Sequence, residues 1–575
     1  MATKARADAI SCAKNLLLST LSSILFRSLI SSPVSEGKSD RDAQACWTAG
    51  YSIATDFDKK FPVTGNTVTY DLTLTNSTCN PDGNGNQPCL LINNQYPGPL
   101  IRATWGDRLV VTVHNKMQNN GTGIHWHGVR QYHSVASDGV GGITECPIAP
   151  GDSKTYDFTV TQFGTSWYHS HFTVQYGAGI VGPIIFDGPA TANYDVDLGS
   201  YMINDWFYHG PFVANLLASA NFQKPGPPPP GDNILINGTN KNANGGGKYG
   251  QVTITSGKKY RLRIINAAVD NYYHVSLDSH PLQIIATDFI PIKPITVETL
   301  VIAIGQRYDV VITAKQTAGN YWFRATVAQE CVSHNNGVGL SIFTYDSVKP
   351  ATPQSTAYTV PAACEPPDPL APYWVQPVPN GSFTNNPLAV GATKGTQVPN
   401  GDTLVLWALS DTPLNVAWEK PTLQYVLEGN TSYPTPYHVM PTTNANGWNY
   451  WVIQQSTKAP PVPHPIHLHG HDFFVLGRAN GQFSADTASL NWATPPRRDT
   501  ATVPAGGWLA IAFPSNNPGV WLMHCHIAWH VSSGLGAQFV EMPDQISVPD
   551  MNAFAKTCSN WKAYKGVYGK DDSGL

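Results

Sequence analysis

Eighteen histidines are spread over 575 residues, so random placement would give about 0.6 pairs of the form His-x-His. Five such pairs are present: His125/His127, His169/His171, His467/His469, His469/His471 and His524/His526. In an extended strand residues i and i+2 share a face, so each pair can present two imidazoles to one place. Imidazole nitrogen suits copper, zinc, iron and nickel. The run His524-Cys525-His526-Ile-Ala-Trp-His530 narrows that choice. Alternation turns Cys525 away from its two neighbours, so one metal is expected on each side of the strand with a few covalent bonds between them. His530 can return to the metal held by the Cys525 thiolate, and His464 can complete a His₂Cys trigonal set, the blue-copper pattern. A zinc site built on cysteine would more often bring further cysteines two to four residues away, and the chain has none there. Copper is favoured.

Strands have to carry these pairs, and the chain signals them by repetition. A glycine followed by two polar residues and alternating aliphatics opens a segment at Gly106, Gly257 and Gly401. A glycine turn into a strand with tryptophan recurs at Gly164-Thr-Ser-Trp167, Gly319-Asn-Tyr-Trp322 and Gly519-Val-Trp521, each time followed by a glycine-rich strand. Two landmarks in the same order, three times over, predict an all-β chain of three related Greek-key sandwiches or barrels. The spacing places the first domain at 46–189, the second at 190–348 and the third at 381–561. A proline-rich linker, 349–380, lies before the third, and a tail, 562–575, follows it.

Composition agrees with a turn-dense β protein: 13% of residues are charged and 11% aromatic, with 50 Gly and 46 Pro. The net charge of −4 lacks the basic excess of a nucleic-acid binder, so nucleic acid is not an expected partner. Residues 1–45 read as a leader, with Lys4, Arg6 and Lys14 before a modest apolar stretch from Leu16 to Phe26 that is too short and polar to span a bilayer. No other segment offers eighteen uninterrupted apolar residues, so no membrane anchor is expected. Asn-x-Ser/Thr sequons at Asn76, Asn120, Asn237, Asn380 and Asn430, together with nine cysteines lacking any CxxC pair, suit an exported protein. Cys79 and Cys89 could close a Gly-rich loop.

The motifs His125-Trp-His-Gly, His169-Ser-His, His464-Pro-Ile-His-Leu-His-Gly and His524-Cys-His-Ile-Ala-Trp-His-Val-Ser-Ser-Gly-Leu535 resemble the four copper signatures of the multicopper oxidases, most closely the laccases of filamentous ascomycete fungi. The resemblance covers about residues 45 to 575 and implies three consecutive cupredoxin-like domains holding four copper ions. It implies a type 1 copper on His464, Cys525 and His530, and a type 2 copper on His125 and His467. A type 3 pair would take His127, His169 and His526 on one ion and His171, His469 and His524 on the other. Leu535 stands where related blue-copper sites often place a methionine, which implies a raised potential because axial ligation tunes it.

The resemblance further implies a secreted, monomeric laccase that oxidises phenols one electron at a time and reduces dioxygen to water. Asp270 would take the phenolic proton, Trp529 would wall the substrate pocket, and Asp138 would relay protons near the type 2 copper. Cys146 with Cys558 and Cys331 with Cys364 resemble the family's disulfides. Cys46 departs from the pattern: its only upstream candidate partner is Cys12, inside the leader. The C-terminal Asp571-Asp-Ser-Gly-Leu575 resembles a segment that enters the channel toward the three-copper site. A ferroxidase or ascorbate-type oxidase, or a copper protein without oxygen chemistry, remain the rival readings. His471, close behind the third motif, reads as a packing residue or as support for a ligand, and His114, His133, His209, His274, His280, His334 and His438 match no ligand position.

Overall fold

A computed structural model describes residues 47–575 except 225, 368, 384–386, 398–402, 443–444 and 565–574. The segment opened by Gly106 becomes the strand Arg108–Asn115, with Leu109, Val111 and Val113 buried and the residues between them facing outward. That alternation buries one face of a sheet, and a second sheet must cover it. The described strands accordingly form six sheets, two in each third of the chain. In the first third a sheet ordered Gln87–Ile92, Thr67–Cys79, Arg108–Asn115, Ser153–Thr159 accompanies one ordered Ile101–Thr104, Val181–Asp187, Gly164–Ser170, Ile124–Trp126. A six-stranded and a five-stranded sheet follow in the second third, and again in the last.

The three sandwiches share a topological signature. Thr67–Cys79 pairs parallel with Arg108–Asn115, Val196–Trp206 with Lys259–Asn266, and Leu388–Gln397 with Trp448–Gln455. Parallel neighbours cannot be joined by a hairpin, so these contacts close Greek-key connections around largely antiparallel sheets. The all-β fold class read from the repeats is the one that forms.

The two longest described helices lie outside that reading. Pro211–Phe222 starts with proline at its first turn, where no backbone N–H is needed. Met551–Ala563 is capped by the Asp550 carboxylate, which accepts from Ala553 N at 2.9 Å, and buries Thr557, Cys558 and Trp561. Cys558 is bonded to Cys146, tying this helix to the first sandwich; Cys79–Cys89 and Cys331–Cys364 are the other disulfides described. Leu370, Trp374 and Val378 of the proline-rich segment are buried, with Trp374 Nε1 donating to Ile53 O at 2.7 Å. The leader with Cys12 and Cys46 lies outside the described residues, as does most of the C-terminal tail, although Leu575 itself is buried in the main core. Among the described residues no helix is long and apolar enough to cross a membrane.

Candidate metal centre

Strand register sets the histidines opposite one another. His125 is the partner of His169 across Ile124–Trp126 and Gly164–Ser170, and His467 is the partner of His524 across His464–Leu468 and Gly519–Cys525. The first ladder belongs to the first sandwich and the second to the third, and they meet face to face. The His125 ring stacks on His469 at 3.9 Å between centroids, and His127 on His467 at 4.0 Å. Their donor atoms gather into the groups His127/His169/His526, His171/His469/His524 and His125/His127/His467, each within 4.8 Å. On the other side of the strand, Cys525 Sγ lies 3.4 Å from His530 Nδ1 and 3.7 Å from His464 Nδ1, with the two nitrogens 3.2 Å apart. The eleven residues named from the sequence thus converge at two loci.

These residues fit copper. The Nδ1 atoms of His125, His467, His169 and His524 face the carbonyls of Asp138 (2.9 Å), Asp499 (2.7 Å), Ser170 (3.0 Å) and Cys525 (2.9 Å). An Nδ1–H donated to a carbonyl leaves Nε2 as the lone-pair nitrogen. The Nε2 atoms of His125, His169 and His467 are buried without a hydrogen-bond partner, a costly condition that a metal relieves. Burial holds His127, His169, His171, His467, His469, His526 and His530 well below the usual imidazole range. It lowers His464 to about 3 and His524 to about 4, so these rings are neutral and able to ligate. Burial pushes the Cys525 thiol up, so it needs a metal to become a thiolate. A thiolate with two imidazoles is a donor set that copper favours.

Carboxylates brace the rings. Asp138 Oδ2 lies 2.9 Å from His469 Nδ1, and its Oδ1 lies 3.3 Å from His125 Nδ1. Asp499 Oδ1 lies 3.3 Å from His127 Nε2, and both Asp499 oxygens accept from Arg307 at 2.7 and 2.6 Å. Burial raises the Asp499 carboxyl to about 6, a rise that Arg307 restrains. The second sandwich therefore braces the cluster without supplying a ligand to it. Its Gly305 has φ +86°, and a Cβ there would stand 2.9 Å from His526 and 3.1 Å from His127, so only glycine fits.

Comparison with known proteins decides the family. Multicopper oxidase family models match residues 73–191, 199–348 and 410–545. The chain belongs to the multicopper oxidase family. Laccase-3 of Botryotinia fuckeliana is 50% identical over 455 residues, 77% of this chain and all of that protein. A laccase of Neurospora crassa is 44% identical over 556 residues, 92% of this chain and 88% of its own length. The crystal structure of the laccase from Botrytis aclada superposes with a TM-score of 0.85 at 41% identity, covering 95% of this chain and all of that one. Fet3p, a multicopper oxidase that functions in iron import, superposes with a TM-score of 0.76 at 25% identity, covering 86% and 95%. This multicopper oxidase is an oxidoreductase of the laccase type with four coppers, built on cupredoxin-like sandwiches.

The surroundings of His530 extend the site beyond the residues named from the sequence. Leu535 is buried, its carbonyl accepting from Cys525 N at 3.1 Å and its N–H donating to His530 O at 3.0 Å. Trp407 lies 4.3 Å from the His530 ring and stacks on Phe222; sequence reasoning did not single it out, although it alone puts an indole in a repeated strand opener. Trp529 packs edge-on against Phe207 at 5.8 Å. Asp270 sits in the loop before Tyr273, and Val269 O accepts from Ala528 N at 2.9 Å, which staples that loop to the helix Ala528–Ser532 carrying His530. Burial, reinforced by the charge of Asp205, raises Asp270 to about 7, while the Trp529 indole draws it down. His471 joins none of the described clusters. Its Nδ1 faces His469 O at 3.1 Å and its Nε2 lies 2.9 Å from Glu541 Oε2, so it packs behind a ligand. The seven other histidines outside the motifs also join none of these clusters.

Proposed function

We propose that this oxidase takes electrons singly from phenolic donors at the His530 end while Asp270 accepts the phenolic proton, and that the eight-histidine cluster is where dioxygen is reduced. When bound, the four coppers would supply the redox chemistry that couples four one-electron oxidations of the donor to the reduction of one dioxygen, with four protons, to two waters. His464, Cys525 and His530 would hold the first copper, His125 and His467 the second, and the two sets of three histidines the remaining pair.

His530 is 8% exposed, the most accessible of the eleven, so its ring edge is the natural point of electron entry. Trp529, Phe207, Trp407 and Phe222 give that entry aromatic walls for a planar donor. A phenol is far easier to oxidise as its proton departs, and Asp270, raised to about 7, is matched to take that proton near neutral pH. The bond from Ala528 N to Val269 O, which staples the loop carrying Asp270 to the helix carrying His530, is the observation that carries this reading. Cys525 is covalently flanked by His524 and His526, so the two loci share a short bonded route. Asp138, touching a ligand from each outer sandwich, would relay protons toward the place where they are consumed.

Export from the cell fits the three disulfides among the described residues and the sequons, of which Asn76, Asn237 and Asn380 are exposed. The test is oxygen uptake by the copper-loaded protein with 2,6-dimethoxyphenol and with ferrous iron. Faster uptake with the phenol supports the reading; uptake with iron alone overturns it.

A further inference from the structure

Asp205 lies next to the end of the strand Val196–Trp206, is 3% exposed, and has no cation against it among the described residues. Its carboxylate is spent on three consecutive residues of one loop. Oδ1 accepts from Val269 N at 2.9 Å, and Oδ2 accepts from Asp270 N at 3.0 Å and from Asn271 Nδ2 at 2.9 Å. A buried carboxylate is costly unless its lone pairs are filled, and here the filling groups come from the loop that carries Asp270.

We propose that Asp205 is the positioning residue for Asp270: it clamps residues 269–271 through three hydrogen bonds and so sets where the Asp270 carboxylate stands against Trp529. The Asp205 charge lies close enough to act on Asp270 as well. The inference rests on the role given above to Asp270. The groups that face Asp270 are Asp205 from its own sandwich, Trp529 from the helix beside His530, the phenols of Tyr176, Tyr272 and Tyr273, and Cys525. None is a cation, and Asp205 is the one carboxylate among them. The same clamp reaches the electron-entry side, because Val269, held by Asp205 through its N–H, offers its carbonyl to Ala528.

The copper-loaded wild type, Asp270→Asn and Asp205→Asn are compared on 2,6-dimethoxyphenol and on hexacyanoferrate(II), a one-electron donor with no proton to lose. Asp205→Asn keeps the shape but removes the charge and sets an NH₂ against at least one loop N–H donor. The acid limb of the phenol pH profile is expected to move toward acid by about one pH unit, with kcat/KM at its plateau falling roughly tenfold. Hexacyanoferrate(II) turnover is expected to change less than about twofold. Equal losses on both donors, or an unmoved acid limb, overturn the inference. If Asp270→Asn removes the limb and Asp205→Asn leaves it in place, this inference alone fails; if Asp270→Asn changes nothing, the role of Asp270 fails and this inference with it. Should Asp205→Asn not fold, Asn271→Ala removes one donor and keeps the charge. A roughly threefold loss on the phenol alone with the limb unmoved then supports the clamp, and equal losses on both donors overturn it.

Discussion

Asp138 Oδ2 lies 2.9 Å from His469 Nδ1, joining the first sandwich to the third at the point where their histidines meet. With its other oxygen 3.3 Å from His125 Nδ1, one fully buried carboxylate orients a ring from each side. Carboxylates behind ligating imidazoles fix the tautomer and raise ligand basicity, and their loss costs roughly 10- to 100-fold. Asp138→Asn is therefore expected to slow oxygen reduction by that factor while leaving the anaerobic bleaching of the blue colour by a phenol unchanged. Stopped-flow traces of bleaching and of recolouring by oxygen separate the two halves.

Leu535 is buried against Cys525 and His530, where a thioether would stabilise oxidised copper. Leu535→Met is expected to lower the type 1 potential in a redox titration. Each drop of about 59 mV makes electron acceptance tenfold less favourable, and poorly reducing phenols should suffer most.

Acid should unlock the ligands in a defined window. With His464 at about 3 and His524 at about 4, the folded values lie below those of the free imidazole. These groups favour the folded state fully above about pH 6.5, and that contribution is lost as pH falls through their folded values. The melting temperature of the copper-free protein is expected to hold near neutrality and drop steadily from about pH 6.5 to about pH 3. Copper-loaded protein, whose ligands are held neutral, should melt higher throughout. A copper-free melting temperature flat across that window would count against buried neutral imidazoles.

Cys146–Cys558 ties the helix Met551–Ala563 to the first sandwich across 412 residues of chain. Asn560 Nδ2, 2.8 Å from Asp152 Oδ2, and the buried Trp561 also hold this helix. Cys558→Ser is expected to cost about 2 to 4 kcal/mol and to make the C-terminal helix the first site of limited proteolysis. Calorimetry and mass spectrometry of the fragments check both.

The ligands were legible in the sequence because strand period converts His-x-His directly into geometry, and because Cys525 between two such residues must face the other way. What brings the cluster its supports was not. Arg307 and Asp499 are 192 residues apart and become a pair only when the second sandwich docks on the third. Asp205 has no motif around it, and its meaning comes from three N–H groups some 65 residues later in the chain. Trp407 sits in a strand whose aliphatic alternation looks complete without it. Local pattern names the groups that do chemistry, whereas long-range packing chooses those that hold them.

The central claim is that His464, Cys525 and His530 hold one copper apart from the three held by eight histidines. Copper content and visible absorption of the wild type and Cys525→Ser test it most directly. Four coppers per wild-type chain with an intense blue band, and three with no blue band in Cys525→Ser, is the expected result. An unchanged copper count with the blue band intact, or loss of all four coppers from a protein that still folds, would contradict it.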